Sequence, residues 1–162
     1  MRRLTYLSLL VAISLSLFLL EGMIPLPVLP PGAKLGISNI VTVIALYSLP
    51  GVSDALLVLA VRIALSSIFG GGPTVLAYSL GGGLVSFGGM AMLRRTGVFS
   101  VTGVSAAGGF LHNLGQIAIA AAIMESPRLF SYLPVLGPTG LATGALIGCV
   151  AAQVLPRLPG CR

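Results

Sequence analysis

Arg62, His112, Asn113, Gln116 and Asn39 are polar side chains set in stretches that otherwise read as hydrocarbon. Arg62 stands mid-way along LVLAVRIALSS, with no other Lys or Arg close enough to mark an interfacial end. A guanidinium there costs several kcal/mol unless it is paired or reaches water, so it needs a role. It can grip a carboxylate or phosphate through two parallel hydrogen bonds, or pair internally with Glu21 or with the carbonyls of a broken helix. The ligand role is preferred, because the chain has only three acidic residues to neutralise it. In GFLHNLGQIA, His112 and Gln116 are one helical turn apart and Asn113 and Gln116 are three residues apart, so the three can line one polar stripe. Such groups also serve as hydrogen-bond glue between membrane helices, at about 0.6 to 2 kcal/mol each. Three together exceed that need and point to a ligand pocket. Lys34, Ser38 and Asn39 complete the set. Asn39 is expected either to cap its helix or to meet ligand, and Lys34 to add a cation from the loop that precedes it. A single His with no Cys nearby offers neither a zinc nor a haem site, so no metal and no cofactor is expected.

These side chains must be carried by a membrane-embedded frame. Of 162 residues, 56% are hydrophobic and 7% charged, Trp is absent and the mean hydropathy is +1.08, a composition whose surface would aggregate in water. Helices satisfy their own backbone amides in lipid, and the alternation a β-barrel requires is missing. The pattern predicts an all-α integral membrane protein, a six-transmembrane-helix bundle forming a single transmembrane domain over 1–162. Its spans are expected at about 4–22, 36–49, 53–69, 74–93, 100–124 and 135–155. The second is short for a bilayer about 30 Å thick, which leaves five spans with a re-entrant hairpin around 24–50 as the alternative. Pro25, Pro27, Pro30 and Pro31 make the segment before it stiff and non-helical, suited to roofing a pocket mouth.

With six spans, Arg2, Arg3, Arg94, Arg95, Arg157 and Arg162 fall on one side, against Lys34 and Arg128 on the other. That bias places both termini in the cytoplasm of a bacterial cell membrane. The net charge of +6 is then topology and contact with anionic lipid, not nucleic-acid binding, for which no basic groove interleaved with aromatics exists. The first apolar run reaches Leu20 without a cleavage-type site and is expected to remain as a helix. Cys149 and Cys161 are expected to be inert.

Small residues predict the packing. Gly140, Gly144, Gly148 and Ala152, four apart, form one face of the last span and are expected to pack inside the bundle. Ser8, Ala12 and Ser16 form a similar stripe on the first span, where an external partner and an internal neighbour are both open. Gly81, Gly82, Gly83, Gly88 and Gly89 make the fourth span smooth, which suits close packing or movement.

PGAKLGISNIVTVIALY, the arginine of LAVRIALSSIFGGG, and GVSAAGGFLHNLGQ resemble the Gx transporter family, also labelled heptaprenyl diphosphate synthase component I. The resemblance runs over nearly the whole chain. That family is similar in size and hydropathy to the substrate-binding S components of energy-coupling factor transporters. The likeness implies six helices, capture of a vitamin-like or isoprenoid or quinone-precursor ligand, and docking of the first helix on a transmembrane coupling subunit driven by two ATPases. Ser8, Ala12 and Ser16 occupy the matching place, with serine in part where an alanine pair is usual. Prenyl chain elongation needs paired aspartate-rich motifs to hold Mg²⁺ on the diphosphate, and this chain has one Asp. No enzyme activity is therefore expected. Two alternatives stay open: a quinone-handling membrane redox component that uses His112 and the amides, and a non-catalytic membrane subunit or scaffold of a prenyl diphosphate synthase.

Overall fold

The computed structural model describes residues 2–23, 36–70 and 72–158. Lys34 and the four prolines at 25–31 lie outside the described residues, as does Cys161. Among these described residues six α-helices run in order: α1 (Arg2–Gly22), α2 (Asn39–Ser48), α3 (Val52–Gly70), α4 (Gly72–Thr96), α5 (Val101–Ile123) and α6 (Leu133–Val154). A short 3-10 turn, Pro127–Tyr132, joins the last two. Every expected span corresponds to a helix. Five are long and apolar enough to cross a membrane. The exception is α2, whose 10 residues rise about 15 Å, half of a hydrocarbon core. It is closed by Leu49, Pro50 and Gly51, which cannot extend it.

The core is inside and the lipid face outside, both apolar. Buried Val43, Leu46, Leu59, Ile63, Met90 and Val104 join α2, α3, α4 and α5. Leu9, Leu57, Phe69, Met92 and Leu146 point outward. In water that surface would be a liability; in lipid it is the solvated face.

Polar residues tie one end together. Arg3 forms an ion pair with Asp54, in the first turn of α3. Tyr6 Oη donates to Ser48 Oγ at 3.1 Å. Arg94 donates to the Leu46 carbonyl near the C-terminus of α2, and its guanidinium lies 5.1 Å from the Tyr47 ring centre. A cation is well placed on those terminal carbonyls. The Tyr6 and Arg94 contacts fasten the C-terminal end of α2 to α1 and α4.

Glycine seams set the other spacings. A Cβ at Gly115 would lie 3.0 Å from Gly82 Cα, and one at Gly144 would lie 3.0 Å from Ala106 Cα. Helices α4, α5 and α6 therefore meet backbone to backbone. Gly140, Gly144 and Gly148 are buried against α5, as expected for internal packing, whereas Ala152 is exposed.

Candidate functional site

Arg62 reaches the bundle interior because α3 turns Val58, Leu59, Arg62, Ile63 and Ser66 inward at three- and four-residue spacing. The residue is 3% exposed. Its Nη1 donates to Ser38 Oγ at 2.5 Å, immediately before α2. Its Nε is buried with no hydrogen-bond partner among the described residues. An unspent donor on a buried charged group costs free energy that a bound acceptor would recover.

From α5, His112 and Gln116 face the same space. Gln116 Nε2 lies 3.0 Å from His112 Nε2, so the amide donates to the imidazole in this orientation. Opposite them is Gly82, where an added Cβ would come within 2.9 Å of His112 Nδ1 and of Gln116 Cγ. Glycine on α4 is what allows the two rings of residues to close. The fourth wall is α1 with the segment that leads into α2. Gly36, at φ +86°, donates its N–H to Glu21 Oε1 at 2.5 Å. An L side chain is strained at that φ, and an added Cβ would lie 3.0 Å from His112 Cδ2.

The result is an enclosed space of about 10 Å³ lined by Glu21, Ser38, Arg62, Ser79, His112 and Gln116, with Phe18 and Gly36. A volume of that size accommodates one water molecule. A second space of similar volume begins on the other side of Gly36, where Asn39 meets α4, α5 and α6. Asn39 is the first residue of α2 and is buried there.

Asn113 is set apart from the stripe. Its Nδ2 donates to the Leu136 carbonyl of α6 at 2.6 Å, and its Oδ1 is buried with no partner among the described residues. A rotation of 100° per residue separates it from His112, which sends the adjacent side chains to different neighbours. Ser38, named with the polar set, is on the wall of the first space, and Ser79, Gly36 and Gly82 are the wall residues that the motif reading did not assign to the site. Ser79 shares a face with Gly82 at a three-residue interval, a signal that the glycine run of α4 hides.

On the outer surface, Ser8 and Ala12 line an apolar groove of about 430 Å³ between α1 and α3, with Leu4, Val11, Leu57 and Val61. Ser16 is exposed on the same helix, beyond the groove.

A sequence model described as heptaprenyl diphosphate synthase component I matches residues 10–154. The chain belongs to that family. No curated protein and no solved structure matches it. For a heptaprenyl diphosphate synthase component I protein, the polar chamber is notable for what surrounds it. Of the three acidic residues, Glu21 is on its wall, Asp54 is at the far end of α3 with Arg3, and Glu125 is exposed. The donor-rich wall comes from α3 and α5, two helices long and apolar enough to cross a membrane.

Proposed function

We propose that the protein is the substrate-binding, non-enzymatic component of a membrane transport system, and that Arg62, His112, Gln116 and Asn39 receive a small ligand with an anionic or carbonyl-rich head. The observation that carries this reading is the buried Arg62 guanidinium, whose Nε makes no hydrogen bond among the described residues. Structural glue spends its hydrogen bonds on neighbouring helices, whereas a receptor holds some in reserve for its ligand.

The ligand is vitamin-like, or an isoprenoid or quinone precursor. It enters from outside a bacterial cytoplasmic membrane, with both termini inside, and Lys34 supplies an additional cation at the entrance. Uphill movement requires an energising partner. The groove along Ser8 and Ala12, continued by Ser16, is where a helix of a transmembrane coupling subunit sits, with ATPases behind it. A coupling subunit suits a face on which apolar side chains leave about 430 Å³ unfilled.

Native mass spectrometry of the protein purified gently from its own membrane tests the pocket. A small molecule is expected on the wild type and absent from Arg62→Ala and His112→Ala. A ligand indifferent to both changes, or none on the wild type, defeats the reading. The family description supports a second reading, a membrane subunit that anchors a prenyl diphosphate synthase. Under it, a soluble synthase subunit copurifies and stays bound after both substitutions.

A further inference from the structure

Resting on the ligand pocket proposed above, we infer that the two small spaces on either side of Gly36 are the two ends of one binding site. The site takes an elongated molecule, roughly 10 Å long, with a hydrogen-bond acceptor at one end and a hydroxyl or amide N–H at the other.

The length follows from helix register. Ser79 of α4 lines the first space and Ser86 the second, seven residues on. On α5, His112 lines the first and Ser105 the second, again seven residues apart. Two turns of helix span about 10.5 Å. Both helices therefore place the second space at the same depth relative to the first. Among the described residues, only Gly36 belongs to both walls. Each space alone has room for one water, and a larger molecule that used both would have to displace Gly36, which lines each of them. A methyl group on Gly36 would meet Asn39 Nδ2 at 2.9 Å and close that passage.

The chemistry of each end follows from which protons are already spent. In the first space Arg62 Nε remains a donor, which asks for an acceptor. In the second, three hydroxyls have given their protons to backbone carbonyls. Ser86 Oγ donates to Gly108 O at 2.8 Å, Ser105 Oγ to Gly144 O at 2.7 Å, and Thr143 Oγ1 to Thr139 O at 3.0 Å. What they offer is lone pairs, which ask for a donor, while the Asn39 amide on the same wall supplies both an N–H and a carbonyl oxygen. No carboxylate lines that space, so an ammonium would be poorly matched and a neutral O–H or N–H is favoured. Val43, Met90 and Ile147 make its remaining wall apolar, which suits a hydrocarbon stem.

The test uses probes of that length in lipid nanodiscs, with empty discs subtracted: isotope-labelled 8-hydroxyoctanoate and 8-hydroxyoctanamide, each against the parent compound without the hydroxyl. By equilibrium dialysis the hydroxyl is expected to tighten binding about tenfold for at least one head group. In the Ser86→Ala/Ser105→Ala double variant that ratio falls to below threefold, while the parent compound binds as before. Failure of every probe to bind, a hydroxyl without effect on the wild type, or a ratio untouched by the double variant overturns the inference. Binding that still requires Arg62 but ignores the hydroxyl defeats this inference alone. Equal binding to Arg62→Gln defeats the pocket itself.

Discussion

Two regions interrupt the hydrocarbon of this bundle, and they treat polar atoms in opposite ways. Along the seam between α5 and α6, Ser105 donates to Gly144 O and Asn113 to Leu136 O, and glycines on both helices bring backbone against backbone. Around Arg62, by contrast, a buried guanidinium nitrogen makes no hydrogen bond among the described residues, and Arg62, His112 and Gln116 share one small space. The seam spends its side-chain protons within the fold, although Ser105 and Thr143 also edge the second space. The chamber is built by the same kind of helix with part of its bonding left open, and that difference separates packing from a site. Substitutions in the seam should therefore cost stability, and substitutions in the chamber should cost binding.

The largest expected effect is at Gly109. A Cβ there would lie 3.0 Å from both the Gly140 carbonyl carbon and Gly144 Cα, atoms that cannot rotate away. Gly109→Val should force α5 and α6 apart and lower stability by about 3 kcal/mol, the upper end of overpacking costs. A thermal melt in lipid nanodiscs reads it. A melt within a degree or two of wild type would mean that the seam is looser than these distances require.

Next comes Arg62→Met, which keeps a flexible side chain of comparable reach and deletes the charge. Because Glu21 is buried on the same wall, the variant is combined with Glu21→Gln; replacing both charges of a buried pair is often neutral or stabilising, so the melting temperature should hold or rise. Affinity for the copurifying ligand should fall at least about a hundredfold, the roughly 2.7 kcal/mol expected for a lost charge-assisted bond. If stability collapses instead, the guanidinium is a structural strut and the comparison between the regions fails.

Gly82→Ala lies between the two extremes. The added methyl would meet His112 and Gln116 side-chain atoms at 2.9 Å, and side chains can shift where backbone cannot. Binding should weaken about tenfold while stability falls by about 1 kcal/mol. Dialysis and melting on the same preparation separate the two effects.

How far the sequence carried this picture depends on the type of signal. Helix existence was legible because lipid imposes one rule on backbone amides and apolar runs of set length obey it. Internal packing of Gly140, Gly144 and Gly148 was legible for the same reason, since spacing by four places residues on one face. Arg62 and the His112–Gln116 pair stood out as exceptions within those runs, and the structure brings them to one space. Partner choice was not legible. Nothing in the letters tells that Ser38 is met by Arg62, or that Gly36 divides two spaces, because both depend on how the short α2 is seated against α1 and α4. Glycines were hardest of all. Gly82 matters through the side chains that approach it, and Gly88, six residues on, has nothing within 4 Å of its added Cβ.

Asn113 is the smallest and sharpest test, because its place in the sequence and its place in the structure argue for different regions. In the motif it stands between His112 and Gln116 and reads as a pocket residue. In the fold its amide nitrogen is 2.6 Å from the Leu136 carbonyl, and Gly140 gives way to admit it. It therefore belongs with the seam, as a brace between α5 and α6. Membrane hydrogen bonds of this type contribute about 0.6 kcal/mol on average and about 1.7 at most, and the unpartnered Oδ1 already offsets part of the gain. Asn113→Ala should therefore lower stability by no more than about 1 kcal/mol and leave ligand affinity within about twofold. A tenfold loss of affinity at unchanged stability would reverse the assignment. The open Oδ1 would then be a ligand contact, and the boundary between the finished seam and the open chamber would run through α5 one residue further along.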